Sequence, residues 1–594
     1  MPEIQTSPHP SASATPLSSI PKPWLVLPAL TGTMLWLSFY PLGWGFLGWV
    51  ALVPLLFLVR LDARPWQIYL GAYVGGSLFF WSVLQWMTVA DYRMVYLWAM
   101  LATYCALYFP VALFMIRRLD RATHWPLALT VPLVWTSLEF VRSFLGTGFA
   151  WYYLGHTQHH YLAVMQIADL AGVHGITFVL AAVNGWLAEF LWAIPAVRAA
   201  CRQTSSGQAA IHRIGVRRVD FAVLGLVAAV LLYGGWRLSQ DDFRAGPRVA
   251  LLQGNLDQRF RNEAASDTNK TSYTSQQMKE YYWHLCRLAS SRFPAPDLVV
   301  WPETSFPHPW YVLPQDLNKI PEHTREVARL VGDVLRQTAQ ESRTNQLFGL
   351  NSRVLTDKGE ARQYNSALLM SAAGDALGIY DKIHPVPFGE YVPLRDWLPL
   401  MSKFAPYDFD YGIRIGEKLT RFQLDKYRFG VIICNEDTDP FLARQYGRDH
   451  PDGPAVDFLI NISNDGWFDG SSQHAEHLAI SRFRAIETRR PLARAVNMGI
   501  SAVIDSNGRV QKPKEFQALG DVKLWEVVEE KDRIPDLPEG NWQDFTKVQG
   551  VLFATIPLDT RTSLYAWTGD WLPGGCWLLM GGVWVWRKTR RGAA

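Results

Sequence analysis

Hydrophobic positions follow two different patterns along the chain. Long apolar blocks lie near residues 24–41, 44–60, 68–89, 95–116, 125–141, 172–195 and 219–236, and one more lies near 571–586. A helix crosses a bilayer with roughly 20 apolar residues. The pattern therefore predicts a membrane domain of seven transmembrane helices over 23–236, and a C-terminal transmembrane helix with a basic cytoplasmic tail over 571–594. The first block runs almost at once into the second and lacks a small-residue cleavage pattern, so it reads as a retained span rather than a signal peptide. Residues 1–22, rich in Pro and Ser, read as a disordered tail that buries too little apolar surface to offset ordering.

Between 237 and 570 the blocks give way to short β-rich runs alternating with helical periodicity, which predicts a separate α/β domain. Strands are expected over 248–256, 297–301, 346–354, 364–370, 427–434, 456–462 and 492–504. Helices are expected over 272–292, 325–342 and 472–489, the last capped by Ser472. Residues 510–548, charged and interrupted by Pro535 and Pro538, read as an irregular insertion.

Composition agrees with a membrane portion joined to a globular one, since 49% of residues are hydrophobic and 26 are Trp. A formal charge of only +4, with no basic stripe interleaved with aromatics, excludes the usual nucleic-acid footprint. The five cysteines form no Cys-x-x-Cys pair, which argues against a zinc site and a disulfide framework. Positive charge then orients the spans. If they alternate, Lys22, Arg60, Arg64, Arg117, Arg118, Arg121, the cluster from Arg198 to Arg218 and the tail from Arg587 to Arg591 share one side, the cytoplasmic one. The α/β domain then lies across the membrane, with Arg142 as a basic residue on the less favoured face. A multi-pass protein of a bacterial inner membrane, with a periplasmic catalytic domain, is the expectation.

Three groups in the α/β domain sit at expected strand ends. The run DLVVWPE ends on Glu303, YDKIHPVPFGE presents Lys382 in a Pro-rich loop, and YRFGVIICNE ends an apolar strand with Cys434. Loops on a rigid sheet gather such groups into one pocket. A thiol near neutral pH is only partly thiolate and needs a base or a positive neighbour to act as a nucleophile. Glu303 suits the base and Lys382 the stabiliser of a thiolate and of a tetrahedral oxyanion. Taken singly, each residue has a plainer reading: a packed core thiol, a surface carboxylate in a turn, a solvated lysine. The histidines His156, His159, His160, His474 and His477 show no convincing ligand spacing with carboxylates, so no metal is expected, and no cofactor.

The motifs together are more specific. The order Glu303, Lys382, Cys434 resembles the nitrilase superfamily and, within it, the apolipoprotein N-acyltransferases. The resemblance is carried by LLQGN at 251–255, VVWPE at 299–303, YNS at 364–366, VPFGEYVPL at 386–394, the long stretch from Asn461 to Asp505, WTGDW at 567–571 and GFAW at 148–151. It implies eight transmembrane helices and a nitrilase-like αββα sandwich outside the cytoplasm, with Glu303 as general base, Lys382 at the oxyanion and Cys434 as nucleophile. Glu390 and Glu436 resemble supporting carboxylates that orient Lys382 or help to move protons. Asn435 departs from the family, which usually has an aromatic residue after the nucleophile.

The resemblance also implies a ping-pong reaction. A phospholipid such as phosphatidylethanolamine donates an acyl chain to Cys434, and the N-terminal amine of a diacylglyceryl-modified apolipoprotein accepts it, the last step of lipoprotein maturation. A monomer is expected. Trp397, Phe404 and Tyr407 in the loop after Glu390 suit a membrane-facing lid or, equally, a packed loop over the sheet, and Trp151 suits an interfacial anchor or substrate contact. Two rival readings remain at this point: a membrane-tethered amidase of the same superfamily, in which water resolves the thioester, and a non-enzymatic membrane scaffold.

Overall fold

A computed structural model describes residues 20–201, 216–257, 273–356, 360–393, 395, 397, 398, 401, 412–528 and 535–592. The N-terminal tail up to residue 19 lies outside these, as do Phe404 and Tyr407.

The N-terminal part is helical. Among the described residues, Met94–Thr123, Ala168–Ala193 and Arg218–Leu238 are long and apolar enough to cross a membrane. Pro23–Leu37, Pro65–Val83 and Leu127–Arg142 accompany them, and Trp571–Gly592 returns to them from the far end of the chain. The apolar block at 44–60 is not one continuous helix, contrary to expectation. It forms a 3-10 turn, Gly45–Trp49, and a short helix, Val53–Phe57. The break follows from close packing at Gly45 and Gly48, where a Cβ would collide with Thr157. Asn184 satisfies the freed backbone, accepting from Leu52 N at 2.8 Å and donating to Gly48 O at 2.9 Å. Non-helical backbone inside an apolar layer persists only where protein groups take up its polar atoms in this way.

The α/β domain contains fourteen strands among the described residues. In chain order they are β1 Arg244–Gln253, β2 Leu298–Val300, β3 Trp310–Val312, β4 Asn345–Leu355, β5 Ala361–Met370, β6 Ala376–Asp381 and β7 Arg421–Leu424. They continue with β8 Tyr427–Ile433, β9 Phe458–Ser463, β10 Leu492–Val496, β11 Ala502–Ile504, β12 Pro513–Leu519, β13 Val522–Val527 and β14 Gln549–Leu558. One mixed sheet runs β12-β13-β14-β1-β2-β4-β5-β6 with β3 beside β4, and a second runs β11-β10-β9-β8-β7. The sheets face each other across a core that includes Val249, Leu251, Val300, Leu369, Val431, Ile433, Ile460 and Ala495. Helices Tyr273–Ser290 and Glu322–Ser342 cover the outer face of the first sheet, and Gln473–Thr488 covers that of the second. The expected αββα layering is present.

Three local expectations are corrected. The run 492–504 is split into β10 and β11 by a turn at Gly499, whose φ of +143° a side chain would strain. Ser472 makes no capping hydrogen bond to the helix that follows it. The segment 510–548 is not merely irregular: β12 and β13 extend the first sheet, and Trp542 is fully buried.

Helix Gln473–Thr488 is charged yet buried along its whole length. One face packs on the second sheet through Ala475, Leu478 and Ala479, and another meets the N-terminal helices through Ile480, Phe483 and Ile486. Charges caught in that contact are neutralised locally. Arg489 donates to Asp169 at 2.7 Å with both side chains at 0% exposure, and Arg237 pairs with the same carboxylate at 2.6 Å. Removing one member of such a buried pair costs about 3–5 kcal/mol, because the other charge is left without compensation. Asp169→Asn is thus expected to lower stability by about that much, read as a fall in the thermal transition of the detergent-solubilised chain. An unchanged transition would show that this pair does not join the two parts.

Candidate active site

The site forms at the ends of β6 and β8, beside the middle of β5 and the segment that follows β2. Lys382 follows β6 directly and its ammonium is enclosed by carboxylates: Glu303 Oε1 at 3.3 Å and Glu390 Oε1 and Oε2 at 3.0 and 2.8 Å. Asn365 of β5 donates through Nδ2 to both acids, at 2.7 Å to Glu303 and 2.9 Å to Glu390. Val386 N donates to the other oxygen of Glu390 at 2.6 Å and fixes the loop that carries it. Lys382 is 1% exposed. Burial works against its charge, but Glu390 and then Glu303 outweigh that and hold the ammonium above its ordinary value.

Cys434 begins the turn after β8 in a left-handed conformation, φ +54°. A non-glycine residue there costs of order 1–3 kcal/mol and persists only where its surroundings impose it. Two sets of bonds do so. Asn461 Nδ2 donates to the carbonyl oxygens of Ile432 and Cys434 at 3.2 and 3.1 Å. Glu436 accepts from Ile433 N at 2.6 Å, Ile383 N at 2.7 Å, His384 N at 3.0 Å and the Tyr380 hydroxyl at 2.9 Å, tying the Cys434 turn to the Lys382 loop. Burial pushes Glu436 up to about 7, against the pull of those backbone N–H groups.

Behind Asn461 lies a buried cluster that sequence reasoning missed. Arg494 donates to Asn461 at 3.0 Å and to Asp437 and Asp465 at 2.7 Å each, while His477 lies 2.7 Å from Asp437 and 3.0 Å from Asp465. Its members are spread over 58 residues of sequence, so spacing gave no signal; only the Asn461–Asp505 motif marked the region. Burial works against the Asp465 charge, but His477 and Arg494 hold its carboxyl below the usual range.

Glu303, Lys382, Glu390 and Cys434 line one cavity of about 630 Å³. Its remaining wall comes from the helical part, with Met94, Leu97, Met100, Leu101 and Tyr104 on one helix and Trp86 and Trp151 nearby. Trp151 is a buried wall residue, 7% exposed. Arg142 holds it by donating to Trp151 O at 2.8 Å. The Trp151 ring lies 5.6 Å from that of His477. Trp397 is 87% exposed. Glu436 makes no direct hydrogen bond to Lys382 among the described residues; its contacts are to the backbone and Tyr380, so it shapes the site from behind.

Among the described residues, His159, His160 and Glu539 form a group with the geometry to hold a metal ion. Glu539 comes from the segment 510–548, so local spacing could not reveal it. Its carboxylate already receives Arg482 and the Tyr40 hydroxyl, both at 2.7 Å, and joins the helical part to the α/β domain.

Comparison with known proteins agrees with both halves of this description. Residues 31–186 match the family model "Apolipoprotein N-acyltransferase N-terminal domain", and residues 248–520 match "Carbon-nitrogen hydrolase". An apolipoprotein N-acyltransferase of Geobacter metallireducens is 33% identical over 86% of this chain and 91% of its own length. The chain belongs to the apolipoprotein N-acyltransferase family. A second family member, from Rhodopirellula baltica, is 27% identical over 94% of this chain and 97% of its own. One from Methylococcus capsulatus is 30% identical over 82% and 86%. The apolar helices and the matched N-terminal domain mark this family member as a membrane protein.

The charges around the thiol allow a direct check. Burial and then Glu303 push the Cys434 thiol well above its ordinary value, and Lys382 pulls it back. Cys434 is the only partly exposed cysteine, the other four being buried, so alkylation by a small reagent reports on it. The rate is expected to rise with pH to a midpoint above about 8.5, the free-thiol value. Glu303→Gln is expected to move that midpoint down and Lys382→Met to move it up. Opposite shifts would contradict the arrangement.

Proposed function

We propose that this protein transfers an acyl chain from a phospholipid, through a thioester on Cys434, to the N-terminal amine of a diacylglyceryl-modified lipoprotein. The observation that carries the reading is the composition of the cavity wall. Glu303, Lys382 and Cys434 share it with Met94, Leu97, Met100 and Leu101 of a bilayer-length apolar helix. Nothing in amide hydrolysis requires such a wall, whereas an acyl chain held beside the thiol does. Both substrates are anchored in a membrane, so a site at its surface keeps the reacting groups near one another.

In the first half-reaction Cys434 Sγ attacks the ester carbonyl carbon of the donor, such as phosphatidylethanolamine. Glu303 takes the thiol proton, the oxyanion forms beside Lys382, and the C–O bond breaks. The lysophospholipid leaves with the proton from Glu303. In the second, the acceptor amine attacks the thioester carbon, its proton passes through Glu303, and the C–S bond breaks to regenerate the thiol. Glu390 and Asn365 keep the ammonium and the base apart from bulk water and in register. Glu436, Asn461 and the cluster behind them hold the strained turn that presents Sγ.

The same reading gives eight membrane crossings, with the broken segment at 44–60 as the second, and sets the α/β domain on the periplasmic face of an inner membrane. The lid role of Trp397, Phe404 and Tyr407 belongs to it as well.

The wild-type chain incubated with phosphatidylethanolamine is expected to gain one acyl mass, while Cys434→Ala gains none. Glu303→Gln and Lys382→Met are expected to slow that gain by at least about 100-fold, the usual span for loss of a general base or an oxyanion donor. Intact-mass spectrometry reads all four. Acylation that survives in Cys434→Ala would overturn the nucleophile.

A further inference from the structure

Three carboxamide oxygens at the reaction cavity have no hydrogen-bond donor among the described residues: Asn365 Oδ1, Asn435 Oδ1 and Gln473 Oε1. Leaving a buried acceptor unpaired costs about 1–3 kcal/mol, and native structures keep few such groups without reason. Three among the residues that line one cavity point to a ligand that supplies the donors. The amide orientation of Asn365 is fixed by its two bonds to Glu303 and Glu390. Gln473 is 3% exposed, and its amide nitrogen lies 3.4 Å from His477 Nδ1. Asn435 is the chain neighbour of Cys434 and lines the same cavity.

The cavity's own cations are already committed. Lys382 is held by Glu303 and Glu390, His384 lies 3.1 Å from Asp439, and His477 lies between Asp437 and Asp465. The wall also carries Asp91. An excess of carboxylates over cations, joined to acceptors lacking donors, suits a positively charged group that has N–H bonds and no lone pair to place. A primary ammonium has that chemistry. An anionic or hydroxylic group would bring its own lone pairs against the same carboxylates.

We propose that Asn435 and Gln473, with Asn365, form a subsite for a primary amine of the substrate. This rests on the acyl-transfer reading above, in which two sources carry such a group: the ethanolamine head of the donor lipid and the α-amino group of the acceptor. In the second half-reaction the carboxamide oxygens would hold the acceptor as its ammonium until Glu303 takes one proton, and the lone pair so freed attacks the thioester carbon.

The test uses the full-length chain in detergent, with Asn435→Leu and Gln473→Met removing an acceptor oxygen at nearly constant volume, and Asn435→Asp retaining one. Acyl-enzyme formation is followed by intact mass from phosphatidylethanolamine and from phosphatidylglycerol with the same acyl chains. Acyl-enzyme loaded from phosphatidylglycerol is then chased with an S-diacylglyceryl-cysteine peptide bearing a free N-terminus. Each of the two apolar variants is expected to change one readout by about tenfold, the size of one hydrogen bond to a charged donor, and Asn435→Asp to restore it. A fall in the ethanolamine-to-glycerol rate ratio assigns the subsite to the lipid head. A rise in the half-saturating peptide concentration assigns it to the acceptor.

Both readouts within twofold of wild type in both apolar variants would mean that only water meets these oxygens, and would overturn the proposal. So would an Asn435→Asp variant no better than Asn435→Leu. If Asn435→Leu does not fold, Gln473→Met decides alone. A wild type that forms no acyl-enzyme from either lipid overturns the acyl-transfer reading itself, a result distinct from loss of selectivity.

Discussion

An ammonium that is 1% exposed is tolerable in this fold only because two carboxylates and an asparagine close around it. Taking an isolated charge out of water costs several kcal/mol even after the protein relaxes, so the Lys382 environment constrains everything nearby. Glu303 must end β2 within reach, Glu390 must be carried back by the Val386 turn, and Asn365 must bridge both from β5. The thiol sits at the edge of that closed charge group. Burial and then Glu303 raise its pKa and Lys382 lowers it, so the resting nucleophile is a protonated thiol, with a cation placed for the oxyanion. Base, cation and thiol are thus assembled before any substrate arrives.

The same need for local neutralisation explains how the two parts of the chain meet. Helix Gln473–Thr488 lies between the second sheet and the N-terminal helices, and arginines at 482, 484, 489 and 494 are all buried by 98% or more. Each has a carboxylate within 2.9 Å: Glu539, Glu487, Asp169 and the pair Asp437–Asp465. One end of this set anchors the helical part, and the other reaches the carbonyl of Cys434 through Asn461. Attachment to the membrane part and presentation of the nucleophile thus share one charged layer, while Trp151 carries the contact onto the cavity wall beside His477.

Much of this was legible in the sequence because it depends on local pattern. Apolar blocks mark the helical part, and short β-rich runs that end on Glu303 and Cys434 mark the two sheets. What stayed hidden depends on tertiary contact. The break at 44–60 needs Thr157 and Asn184, both more than 100 residues away, and an apolar run by itself reads as a continuous helix. Strand β12 is largely polar and exposed, and its buried partner β13 is only six residues long, so the segment read as irregular. The pairing of His477 with Asp437 and of Glu539 with His159 joins residues 40 and 380 positions apart, beyond any spacing rule. Glu436 resembled a partner of Lys382 by position alone; in the fold it is consumed by backbone N–H groups.

The central claim is that acyl transfer on Cys434 halts at the thioester until an amine arrives. Lysophospholipid release from labelled phosphatidylethanolamine, followed in a single mixing experiment, tests it most directly. Without acceptor, the account predicts a burst of one lysophospholipid per Cys434 and then no turnover, with steady release only after a diacylglyceryl-cysteine peptide is added. Continuous release in the absence of any amine acceptor would make the protein a hydrolase and contradict the account.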